Sequence, residues 1–179
     1  MGLARVRPPP GSFLQATKAG EDTMAALVCE ALAPAKRIAD LFCGVGTFAL
    51  RLAARSEVWA VDGEQPMLTA LKAAADAAGG ALKTVETARR DLLRSPVSAL
   101  ELKRFDGVVF DPPRGGARLQ AEQIAASKAS LVAAVACDAG AFARDARVLV
   151  DAGFTMGTVT PIDQFRFSPH VEIVGVFTR

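Results

Sequence analysis

Ten residues, Asp40-Leu41-Phe42-Cys43-Gly44-Val45-Gly46-Thr47-Phe48-Ala49, constrain the fold more than any other stretch of the chain. An apolar run, Arg37-Ile38-Ala39 and then Leu41-Phe42, stops at two glycines, and an amphipathic run opens near Thr47. The pattern reads as a buried strand turning sharply into a helix. Without a Cβ, Gly44 and Gly46 permit positive φ and let a ligand approach the N–H groups of the turn. A helix opening there aims its positive end at the same ligand. The turn is therefore expected to hold a nucleotide-type cofactor.

Two cofactors fit. Gly44-x-Gly46-x-x-Ala49 satisfies the dinucleotide fingerprint, with Asp62 at the acidic position about twenty residues on. Asp40 favours S-adenosylmethionine instead. A carboxylate just before the first glycine suits the cationic amino-acid end of that cofactor and repels a pyrophosphate. On these residues the choice stays open.

The pattern around the turn alternates. A helix over Glu21–Ala33, broken by Pro34, precedes a strand over Arg37–Phe42 and a helix over Thr47–Arg55. A strand over Glu57–Val61 and an alanine-rich helix over Gln65–Ala78, stopped by Gly79-Gly80, come next. Lys83–Thr87 reads as a third strand, Leu92–Lys103 as partly helical around Pro96, and Phe105–Phe110 as a fully buried fourth strand. Then come a helix over Ala117–Ser127, a strand over Leu131–Ala136, a helix over Ala141–Ala152, and two strands over Phe154–Thr160 and Val171–Phe177. Strand–helix alternation predicts an α/β parallel sheet with helices on both faces. The last two strands are joined only by a loop, which suits an antiparallel pair at the far edge. Seven strands, mostly parallel with the last antiparallel, form the Rossmann-like class I methyltransferase layout. Ligands of such sheets lie beyond the carboxyl ends of the strands, where Asp40, Asp62, Asp111 and Cys137 all fall.

At 179 residues the chain can bury one sizeable core. Residues 1–10 are basic and proline-rich, read as tail or linker, with the domain over residues 11–179. A net charge of +2 supports no strongly basic face, so a nucleic-acid partner has to be argued from the site. Cys29, Cys43 and Cys137 have no metal or disulfide spacing, and with one histidine no metal is expected. No signal peptide or bilayer-length apolar run is present, so the default is a reducing cytoplasmic setting and a monomer.

Five further groups carry possible chemistry. Asp62 ends the second strand, where it can hold a ribose diol or serve as a turn aspartate before Gly63. Asp91 either borders an adenine or caps the helix ahead of Leu92. Asp111-Pro112-Pro113-Arg114 makes a rigid rim with Asp111 aimed into the mouth. Arg114 stands where methyltransferases of exocyclic amines carry an aromatic, which argues against an amine acceptor. Cys137 ends the fifth strand beside a helix start, a setting that lowers thiol pKa, though a buried cysteine also serves as a small apolar filler. His170 and Glu172 share one side of the last strand, as site residues or as an edge-strand charged pair.

Together these motifs resemble the RNA uracil-C5 methyltransferases that make 5-methyluridine in tRNA and 23S rRNA. Phe13-Leu14-Gln15 is similar to the family's F-x-Q element, Asp40–Gly46 to D-x-x-C-G-x-G, and Asp111–Arg114 to D-P-P-R. Cys137 with Phe142-Ala143-Arg144-Asp145 resembles S-C-N-P-x-x-x-A-R-D. Asp163–Phe165 and His170-Val171-Glu172 resemble the closing D-x-F…H-x-E. The resemblance implies an RNA uridine as substrate, in rRNA or tRNA, and S-adenosylmethionine as cofactor, held by Gln15, Asp40, Gly44, Gly46, Asp62, Asp91 and Asp111. It implies Cys137 as nucleophile, Glu172 as base, Asp111 on the uracil edge, and Phe13, Arg114 and His170 beside the substrate. Asp138-Ala139 departs from Asn-Pro, and Asp138 is expected to raise the thiol pKa. This motivates a second reading, a cofactor- or RNA-binding remnant; a third is another methyl acceptor or a dinucleotide oxidoreductase. The family's N-terminal RNA-binding β-barrel and iron–sulfur cysteine cluster have no counterpart here, which implies a catalytic fragment or a minimal member.

Overall fold

In the computed structural model, which describes residues 1–165, 167–168 and 170–179, the chain forms one seven-stranded sheet flanked by helices. The strands are β1 (Arg37–Leu41), β2 (Glu57–Asp62), β3 (Val85–Arg89), β4 (Gly107–Phe110), β5 (Leu131–Ala136), β6 (Thr155–Ile162) and β7 (Glu172–Thr178). The helices are α1 (Lys18–Ala31), α2 (Ala49–Leu52), α3 (Gln65–Ala77), α4 (Ala99–Leu102), α5 (Arg118–Ala126) and α6 (Ala139–Asp151). The sheet order is β3-β2-β1-β4-β5-β7-β6. The pairs among β1–β5 are parallel, and β7 runs antiparallel to both β5 and β6.

Alternation along the buried strands divides the core between the two faces. Val109 joins Ile38, Met24, Leu50 and Leu68 on one side, while Val108 and Phe110 join Leu41, Ile124 and Phe177 on the other. Each of these side chains is essentially inaccessible, and each such burial stabilises the fold by roughly 1.5–3 kcal/mol. Burial on both faces is why the central strands read as continuous apolar runs.

The expected boundaries shift where local chemistry overrides periodicity. α1 starts at Lys18 because Thr17 caps it, accepting the Gly20 N–H at 3.0 Å. The helix expected over Thr47–Arg55 contracts to α2, since Thr47 and Phe48 still belong to the turn. Within Leu92–Lys103 only α4 is helical, begun by a Ser98–Glu101 capping box after Pro96. β6 runs on through Pro161, which is tolerated on an edge strand. Residues 1–10 contain no helix or strand, yet Ala4 is buried in the core. Among the described residues no helix is long and apolar enough to cross a membrane.

Candidate functional site

A cavity of about 860 Å³ opens beyond the carboxyl ends of β1, β2, β4 and β5, within the size range of small-molecule and cofactor sites. Its walls are built strand by strand. β1 leads into the glycine turn, where Phe42, Gly44 and Gly46 adopt φ of 63°, 54° and 94°. Phe42 is not glycine, so it holds strained backbone at the cavity wall. Gly44 faces the cavity, with only Met67 Sδ, at 3.9 Å, near the place of a Cβ. Gly46 does not line the cavity: a Cβ there would meet Leu71 Cγ at 2.8 Å, so its glycine serves close packing.

Three N–H groups of the turn are held within the protein: Cys43 donates to Val61 O (3.2 Å), Gly46 to Cys43 O (2.9 Å), and Gly44 to Asp62 Oδ2 (2.9 Å). α2 is four residues long and carries little dipole. The lining carries five carboxyl groups, Asp62, Glu64, Asp91, Asp111 and Glu172, against two guanidiniums, Arg89 and Arg114. Such a wall favours a cationic ligand over an anionic one.

Asp62 fills both of its sequence readings. Oδ1 accepts the Glu64 N–H at 2.9 Å as a turn aspartate, Oδ2 braces the glycine turn, and the carboxylate still lines the cavity. Asp91 likewise lines the cavity, while Oδ1 accepts the N–H groups of Leu93 (3.1 Å) and Arg94 (3.2 Å). What it caps is a turn, not the helix expected there. Asp40 is not brought to the wall. It is wholly buried, and no described group hydrogen-bonds its oxygens. Burial pushes its carboxyl well above the usual range.

Cys137, Asp111 and Glu172 meet on the opposite wall. Cys137 follows β5, Asp111 follows β4, and Glu172 opens β7. Antiparallel pairing ends at Ala136 opposite Ile173; one step further sets Cys137 opposite Glu172. Burial, helped by Glu172, lifts Asp111 to about 7, and burial also raises Glu172. The Cys137 thiol is raised as well, by burial first and then by Glu172 and Asp111. This reverses the expected lowering at a helix start: the nearby carboxyls and burial outweigh the helix end. Asp138 is not the charge responsible. Its Oδ1 caps α6 by accepting the Ala141 N–H at 2.8 Å, and its other oxygen lies 3.9 Å from Arg114 Nε.

Phe13 and Gln15 line the cavity, Phe13 with 70% of its surface exposed. Arg114 lines it too, but His170 does not; His170 lies before β7, exposed, with its ring edge-on to Phe165 at 6.4 Å. Sequence reading missed a brace between a helix and a loop. Asp145 Oδ2 accepts the Ala117 N–H at 2.8 Å, and Arg144 donates to Gly115 O at 3.2 Å. The two residues tie the helix after Cys137 to the loop after Asp111. Their presence in a motif was visible; their partners were not.

A sheet of this order, with β7 reversed and placed second from the edge and its cavity at the strands' carboxyl ends, defines a class I methyltransferase fold. No protein-family model matches the chain. Over 179 residues it is 52% identical to a protein of Caulobacter vibrioides named an uncharacterized RNA methyltransferase, covering 100% of this chain and 43% of that one. It is 36% identical over 172 residues to the 23S rRNA (uracil(1939)-C(5))-methyltransferase RlmD of Pseudomonas fluorescens, covering 94% of this chain and 37% of that one. The structure of Pyrococcus abyssi tRNA (uracil-54, C5)-methyltransferase in complex with S-adenosyl-L-homocysteine matches with a TM-score of 0.81 and 27% identity, over 94% of this chain and 41% of that one. The chain is thus similar to RNA methyltransferases, among them enzymes named for action at uracil C5. It spans about two fifths of the length of these relatives.

Proposed function

We propose that this chain is the cofactor-binding and catalytic part of an S-adenosylmethionine-dependent RNA methyltransferase that acts at C5 of uridine in rRNA or tRNA. The observation that carries the reading is the shared cavity: Cys137, Glu172 and Asp111 line the same hollow as Gly44, Asp62 and Asp91. Neither relative nor neighbour fixes which RNA is modified.

The cavity suits the cofactor. Its surplus of carboxyls favours a sulfonium with an ammonium group over a dinucleotide. Gly44, Asp62, Asp91 and Gln15 would hold it, Asp62 at the ribose diol, and when bound it supplies an activated methyl group. Asp40 and Gly46 would support the turn from behind.

Uracil C5 is a poor nucleophile until C6 is attacked. The Cys137 thiolate adds to C6, forming a C–S bond and moving the electron pair of the C5=C6 bond into an enolate. Asp111 at the uracil edge steadies that enolate by hydrogen bonding. After C5 has gained its methyl group, Glu172 removes the C5 proton, the double bond re-forms and the sulfur leaves. The target base has to leave its stack to reach Cys137. The engagement of Asp138 with α6 and Arg114 supports the active reading over a remnant, since that carboxylate is occupied away from the sulfur.

The test is incubation with S-adenosylmethionine and a short RNA carrying 5-fluorouridine. The fluorine blocks the last elimination, so a covalent complex should persist on a denaturing gel and vanish in Cys137→Ala. An adduct that survives Cys137→Ala overturns the assignment of the nucleophile. In calorimetry S-adenosylhomocysteine should bind and NAD should not; the opposite result overturns the cofactor.

A further inference from the structure

A hydrogen-bond chain remote from the reacting groups ends at the cavity wall. The Thr17 hydroxyl accepts the Gly20 N–H, so its own proton is free to donate. It donates to Gln164 Oε1 at 3.3 Å, and the Thr17 backbone N–H donates to the same oxygen at 3.2 Å. A backbone N–H can only donate, which fixes the oxygen end of the Gln164 amide. The other end, Nε2, then donates to Gln15 Oε1 at 3.0 Å. With its oxygen taken, Gln15 is left with its NH2 group, and Gln15 lines the cavity. A second observation concerns Gly20. A Cβ there would fall 2.3 Å from Gln164 Oε1, so a bare first turn of α1 is what lets Gln164 sit.

We infer that Gln164 is a positioning residue that fixes Gln15 as a hydrogen-bond donor toward the cavity, so that this part of the wall recognises an acceptor atom on the bound ligand. The inference takes the ligand's identity, S-adenosylmethionine, from the function proposed above; the orientation follows from the chain's own bonds. Gln164 lies 149 positions from Gln15 and in the loop that leads toward Glu172, so it also joins the segment before α1 to the connection between β6 and β7.

One arm of the test needs no ligand. The side-chain amide resonances of Gln164 should move in Gln15→Ala, because the Gln164 NH2 group loses its acceptor; unmoved resonances overturn the inference. The second arm measures S-adenosylhomocysteine binding by calorimetry, with thermal unfolding to confirm that each variant folds. In Gln164→Glu the new carboxylate attracts the Gln15 NH2 group and turns its oxygen to the cavity, so affinity should fall about tenfold. Gln164→Met frees Gln15 without inverting it, and should cost about threefold. In a Gln15→Ala background both substitutions should be silent. A larger loss in Gln164→Met than in Gln164→Glu, or losses that persist without Gln15, would show that Gln164 acts by packing alone and overturn the inference. A wild-type chain that binds no S-adenosylhomocysteine refutes the cofactor reading, and the amide resonances then decide the orientation by themselves.

Discussion

Replacing Asp111 by asparagine should stabilise the protein at pH 8.5. Burial, reinforced by Glu172, lifts the Asp111 carboxyl from 3.8 to about 7, so the folded chain holds this proton more tightly than the unfolded chain. The stability gained from holding it is complete below the unfolded value of 3.8 and is lost as pH rises through about 7. A rise of roughly three units corresponds to about 4 kcal/mol, the most that ionised Asp111 can cost the native state above pH 7. Asparagine is neutral throughout. The stability difference between Asp111→Asn and wild type should therefore be small near about pH 4.5, grow through neutrality and level off by about pH 8. Urea unfolding followed by circular dichroism reads this directly, as a midpoint that shifts at constant slope. A difference that does not change with pH, or a wild type more stable than the variant at pH 8.5, would refute the reasoning. Either result would mean that donors hold the carboxylate and that burial is not what governs it.

Three other predictions follow from the same geometry. Cys137 should react slowly with iodoacetamide at pH 7, and Glu172→Gln should speed it severalfold by removing the neighbouring carboxyl that raises the thiol most; peptide mass spectrometry separates Cys137 from Cys29 and Cys43. Gly46→Ala should cost about 1–3 kcal/mol more than Gly79→Ala in urea unfolding, since both have positive φ but only Gly46 has Leu71 against the new Cβ. Asp145→Ala should cost about 1–3 kcal/mol by stranding the Ala117 N–H, and Asp145→Asn, which keeps an acceptor, should recover most of it.

The strands were legible because burial on both faces makes each a compact apolar run between turn residues, as in Val108-Val109-Phe110. Cavity residues at strand ends were legible for the same reason: once the sheet is parallel, Asp62, Asp111 and Cys137 share an edge by topology alone. The extent of short helices was not, because Thr47-Phe48 read as helical by periodicity while turn geometry decides them. Asp40 was misplaced by one pleat: it occupies the same face of β1 as Ile38, inside the core. Gln164 and the Arg144–Asp145 brace lay beyond sequence reading, since each depends on a partner far away in the chain. The sign of the Cys137 shift was also out of reach. It is set by burial first and then by how closely two carboxyls approach, neither of which spacing along the chain carries.

Glu172 reaches the site only because β7 is reversed. Every parallel strand brings its last residue to the cavity edge, whereas Glu172 is the first residue of its strand. Had β7 run parallel to β5, Glu172 would lie at the far edge, roughly 20 Å away for a strand of this length, and no charge from it would act on Cys137 or Asp111. The reversal thus creates a cluster of three acids in one hollow, each raised above its ordinary value. Such a cluster titrates as a unit, so losing a proton from the sulfur is easiest while a carboxyl keeps one. Neutralising one member should move the others. In Asp111→Asn the pH midpoint for alkylation of Cys137 should fall, and in Glu172→Gln it should fall further, because Glu172 acts on the thiol more strongly than Asp111 does. Midpoints that stay fixed in both variants would mean that the three groups do not share the cavity as described, and would remove the physical basis for assigning them to one reaction.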